Sequence, residues 1–72
     1  MDTVKPLDRH ARPIPELSVV RFIRPVETDD GVIPAGARGT VVHSFSGGLA
    51  YIVEVYEPFH SVATVEVDSV AL

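Results

Sequence analysis

The stretch Gly39-Thr-Val-Val-His-Ser-Phe-Ser-Gly-Gly-Leu-Ala-Tyr-Ile-Val-Glu-Val-Tyr56 decides the fold. Two runs of mainly β-branched and aromatic side chains flank Ser46-Gly-Gly48, and that arrangement predicts an antiparallel hairpin closed by a tight turn. In the second run, Ala50–Tyr56, alternation sends Tyr51, Val53 and Val55 to one side. Side chains that repeat every second residue line one face of a strand, so these three are expected in the core.

The pattern extends outward in both directions. Upstream, Ser18-Val-Val-Arg-Phe-Ile-Arg24 reads as a first strand stopped by Pro25, with Val20 and Phe22 on one face and Arg21 on the other. Between the two lies Val26–Gly36, whose Asp29-Asp-Gly31 and Pro34-Ala-Gly36 are turn chemistry; a long irregular loop is expected there. Downstream, Glu57-Pro-Phe-His60 makes a turn and Ser61–Val67 a fourth strand with Ala63, Val65 and Val67 together. Asp68–Leu72 forms one helical turn or a short fifth strand, with Leu72 expected to return to the core. Residues 1–17, with Pro6, Pro13 and Pro15, read as an extended arm lying over the domain or frayed in solvent. No window shows a helical stripe. The expectation is an all-β domain over residues 18–72: a small barrel of five short strands, whose closure hides the sheet edges.

Composition agrees with that reading. The 72 residues make one domain, near the lower size limit for a core without staples, and the absence of cysteine removes disulfides and thiolate zinc sites. Thirteen valines and a hydrophobic content of 46% supply the apolar burial. No apolar run has the length of a membrane span, and the first residues lack the order of a signal peptide, so a cytoplasmic protein is the expectation. The formal charge is −4, and all six Lys and Arg lie at or before Arg38, so the surplus of acid sits in the second half. That is a poor footprint for a phosphate backbone, which is bound through Lys and Arg.

The order of the pieces resembles the SH3-like barrels. Val26–Gly36 stands where their long first loop would be, Ser46-Gly-Gly48 where the distal hairpin turns, and Asp68–Leu72 where a short helix precedes the last strand. A closer resemblance is to the uncharacterised bacterial family called domain of unknown function 4926, carried by Gly39-Thr-Val-Val42, Tyr51-Ile-Val-Glu-Val55 and Val62-Ala-Thr-Val65. It covers about residues 17–72; Val55 departs from the family's usual Phe, and the turn Pro58-Phe-His60 lacks its glycine. The resemblance implies an SH3-like fold and no assigned activity.

Candidate chemistry is sparse. His10, His43 and His60 have no ligand-like spacing, although His43 and His60 could approach each other across strands. No nucleophile elbow surrounds Ser18, Ser44, Ser46, Ser61 or Ser69, and Gly47-Gly48 lacks the lysine of a phosphate loop. No catalytic residue, metal or cofactor is expected, and the chain is read as a non-enzyme. The binding candidates are Glu27, Asp29 and Asp30 of the long loop, placed where SH3 domains hold an arginine, with Tyr56 and Phe59, or Phe45, as nearby aromatics. These point to another protein as the partner. The alternative is an RNA- or ribosome-associated barrel: Gly36-Ala-Arg-Gly-Thr-Val41 resembles the loop–strand step of KOW domains, with Arg21, Arg24 and Arg38 as its phosphate contacts.

Overall fold

A computed structural model describes residues 14–45 and 47–72. Most of the proline-bearing arm, residues 1–13, therefore lies outside the described residues.

Seven strands and one short turn of 3-10 helix follow the valine-rich pattern. They are β1 (Val19–Phe22), β2 (Val26–Thr28), β3 (Gly31–Ile33), β4 (Arg38–Phe45), β5 (Ala50–Val55) and β6 (Ser61–Glu66), then the 3-10 turn Val67–Ser69 and β7 (Val70–Ala71). Five form one antiparallel sheet in the order β6-β5-β4-β1-β7, and β2 pairs with β3 in a second. The protein is all-β. Among the described residues neither sheet closes on itself.

Alternation sorts the side chains as the sequence predicts. Val20 and Phe22 of β1, Tyr51, Val53 and Val55 of β5, and Ala63 and Val65 of β6 are buried together with Val41, Ile33 and Val70. The inner face of the large sheet is thus almost wholly apolar, which is the main source of stability in so small a domain. Tyr51 is buried but keeps its hydroxyl satisfied, accepting a 3.0 Å hydrogen bond from the backbone N–H of Ile14. Leu17 also donates its N–H to the Val41 carbonyl, at 2.6 Å, so residues 14–17 of the expected arm lie along the sheet.

Two glycines matter for packing. A Cβ on Gly39 would collide with the Val53 side chain and lie 3.0 Å from the Glu54 carbonyl oxygen, so β4 crosses β5 closely only because that position is bare. Gly31 combines a φ of 136° with the Phe59 ring, which a Cβ would meet at 3.1 Å.

Three expectations are corrected. The Val26–Gly36 segment is not irregular: Thr28 Oγ1 donates to the Gly31 carbonyl at 2.7 Å and accepts from the Asp30 N–H at 3.0 Å, which folds β2 and β3 into a hairpin. The strands therefore number seven rather than five. Leu72 does not return to the core; it is exposed, and Val70 fills the place, because the 3-10 turn shortens the path from β6 to β1. Strand β4 also carries a bulge at Val42, where Val41 pairs with Val53 but His43 with Ile52. The extra residue leaves both Val42 and His43 exposed, a break in alternation that composition could not announce.

Candidate functional site

The outer face of the large sheet carries most of the polar chemistry. Register assembles it in rows. One row runs Val19–Thr40–Glu54–Val62 across β1, β4, β5 and β6. In the next, Ala71, Arg21 and Arg38 stand side by side across β7, β1 and β4. Tyr56 follows the end of β5, two residues beyond Glu54, and Arg38 lies two residues before Thr40 on β4, so the antiparallel register continued past Thr40 and Glu54 brings Arg38 and Tyr56 to the same place. Both line a groove of about 500 Å³, to which Gly36, Ala37, Thr40, Glu54 and Glu57 also contribute.

Tyr56 is exposed yet fixed. Its ring stacks on the His60 imidazole, centroids 5.1 Å apart and planes 14° from parallel. His60 Nε2 lies 2.9 Å from Glu54 Oε2. The hydrogen bonds from His60 and then Tyr56 hold the Glu54 carboxyl below its ordinary range, against a smaller opposing effect of desolvation. The same carboxylate raises the Tyr56 phenol, first because as a hydrogen-bond acceptor it favours the protonated hydroxyl and second because it would repel a phenolate. Glu54 and His60 are functional-looking residues that sequence reading left out. Their signal was available: cross-strand pairs of alternating residues, Glu54 opposite Val62 and therefore diagonal to His60.

The predicted binding residues separate into two sides. Asp30 leans over the inner side, where its Oδ2 accepts from the buried Ser61 hydroxyl at 2.9 Å. Phe59 is partly buried against the core and covers Gly31. Glu27 and Asp29 are exposed on the β2–β3 hairpin. Tyr56 faces the opposite side of the sheet, so it does not share one surface with Phe59 and the acids. Phe45 stands apart too, edge-on to His43 with centroids 4.8 Å apart.

The arginines also divide. Arg24 is taken up by the 3-10 turn: its guanidinium reaches Asp68 Oδ1 at 2.7 Å, Ser69 Oγ at 3.2 Å and Glu66 Oε1 at 3.6 Å. Arg21 and Arg38 are directly opposed and exposed, and among the described residues neither forms an ion pair.

His43 and His60 have different partners, and His10 lies outside the described residues. His43 Nδ1 lies 3.7 Å from Glu16, whereas His60 belongs to Glu54. Among the described residues no group of three or more His, Cys, Asp or Glu side chains could hold a metal ion. Ser61 and His60 are neighbours in sequence but point to opposite sides of β6, so hydroxyl and imidazole do not form a nucleophile–base pair. Among the described residues no helix is long and apolar enough to cross a membrane.

Comparison of the chain with protein-family models, with curated proteins and with solved structures found no match.

Proposed function

We propose that this chain is a non-enzymatic interaction module of the SH3-like barrel kind, akin to domain of unknown function 4926, and that it binds another protein through the outer-face groove between Arg38 and Tyr56. The fold part of this reading is supported by the strand order β6-β5-β4-β1-β7, by the β2–β3 hairpin between the first two long strands, and by the 3-10 turn before the last strand. The functional part is carried by one observation. Tyr56 is an exposed aromatic held in place by His60 and Glu54 at the wall of a concave surface. A rigid amphipathic ring of this kind anchors a partner at little cost in conformational entropy.

The RNA reading has one observation in its favour, the Arg21–Arg38 pair beside an aromatic ring. Against it stand Glu54 and Glu57 in the groove lining, which oppose a run of phosphates.

Affinity capture from the native host, with and without nuclease, tests the proposal. A protein retained after nuclease digestion and lost with Tyr56→Ala is the expected result. Loss of every partner on nuclease treatment, together with salt-sensitive binding to generic RNA, overturns it in favour of the RNA reading.

A further inference from the structure

Arg21 and Arg38 face each other directly across β1 and β4, on the solvent side of the sheet. Like charges in such a cross-strand pair repel, and a bound anion turns that repulsion into two attractive contacts. Arg24 shows the contrast within the same strand region, since it already has Asp68 and Glu66 beside it. Guanidinium groups match carboxylates in shape as well as in charge, because their planar forks donate two parallel hydrogen bonds.

The surroundings narrow the choice of ligand. Gly36 and Ala37, which line the groove beside Arg38 and Tyr56, carry no bulky side chain to obstruct a main chain laid there. The stack on His60 occupies one face of the Tyr56 ring and fixes its plane. Glu54 and Glu57 line the same groove and make that part of it negative, so favourable anion contacts are confined to the two arginines. A polyanion does not suit that layout, whereas a peptide with one acid and one apolar side chain does.

We propose that an extended segment of a partner protein lies across the groove and onto Arg21, which stands beside Arg38 outside the groove lining, with one side-chain carboxylate held between Arg21 and Arg38 and an apolar side chain resting against Tyr56. This rests on the interaction-module reading and specifies its partner. The spacing follows from the sheet. From midway between β1 and β4 to β5 is one and a half strand separations, about 7 Å, which is about two residues of extended chain. Residues two apart on an extended segment point the same way. The recognised pattern is therefore an acid and an apolar residue with one residue between them.

Selection of a random dodecapeptide library on the full chain tests this. The expected result is enrichment of Asp or Glu two positions from Leu, Ile, Phe or Met, in one chain direction. Binding of the selected peptides then weakens about tenfold or more with either Arg21→Glu or Arg38→Glu and is unchanged by Asp29→Lys. Arg21→Gln and Arg38→Gln, which remove charge without reversing it, serve the same comparison if a Glu variant melts early. Selected peptides that are basic, weakened by Asp29→Lys and indifferent to Arg38→Glu overturn the carboxylate inference and leave the module reading standing. A library that yields no peptide above background overturns both.

Discussion

His60 and Ser61 are adjacent in the chain, yet they serve opposite sides of the molecule. The Ser61 hydroxyl turns inward and ties the β2–β3 hairpin to β6 through Asp30. The His60 ring turns outward, where it holds Tyr56 and Glu54 at the groove wall. One step along a strand separates a contact that closes the core from a contact that shapes a surface. The inner side spends its polar groups on holding the fold, and the outer side keeps Arg21, Arg38 and Tyr56 accessible. Substitutions on the two sides should therefore differ in kind: inward changes lower stability, whereas outward changes alter binding and pH response.

The strongest way to break this contrast is at the centre of the inner face. Tyr51→Ala removes a buried ring and should cost about 3–5 kcal/mol, enough to unfold much of so small a domain. Tyr51→Phe, which loses only the bond from Ile14, should cost about 1 kcal/mol. Urea denaturation followed by circular dichroism compares the two, and equal losses would mean that the hydroxyl, not the ring, carries the effect. Next in size is Gly39→Ala. The added methyl meets Val53 and the Glu54 backbone, so β4 must move away from β5 at a cost of about 1–3 kcal/mol. A thermal midpoint within error of the native protein would show that the two strands are not held this closely.

Ser61→Ala comes third. It leaves Asp30 without its donor and should cost about 1 kcal/mol, with the change in amide exchange concentrated in the β2–β3 hairpin. Uniform loss of protection across the sheet would contradict a local tie. The smallest effect belongs to the outer trio and appears only as a pH dependence. Because the folded Glu54 carboxyl sits below its ordinary value of 4.5, its contribution is complete above that value and is lost as pH falls through the lowered one. The Tyr56 phenol is raised, so its contribution is complete below 10.0 and is lost as pH rises through the higher folded value. Glu54→Gln should flatten both limbs of the melting temperature against pH, modestly, since the group is close to solvent. Identical pH profiles for the native chain and the variant would remove Glu54 from the account.

Much of the fold was legible because burial has the period of the strand. Val20, Phe22, Tyr51, Val53, Val55, Ala63 and Val65 were all placed inside by alternation and are all buried. Legibility failed where one residue changes the count, as at the Val42 bulge, or where a side chain rather than a periodic pattern makes the turn, as Thr28 does. The candidate site was less visible. Tyr56, Arg21 and Arg38 were each singled out, but Tyr56 was grouped with the loop acids and Phe59, whereas register puts it beside Arg38 on the other side of the sheet.

By itself the sequence determined that this is an all-β chain, which residues of β1, β5 and β6 face inward, and where the excess charge lies. Those properties are local: β-branched side chains favour extended backbone, and a period of two assigns each residue to a side. Only the tertiary structure decided which outward residues are neighbours. Pairing between β1 and β4, which the β2–β3 hairpin separates in the chain, sets Arg21 against Arg38, and the register of β5 on β6 sets Glu54 and Tyr56 against His60. Such pairing depends on strand order and register, and these come from the packing of the shared core, not from the outward residues that they bring together.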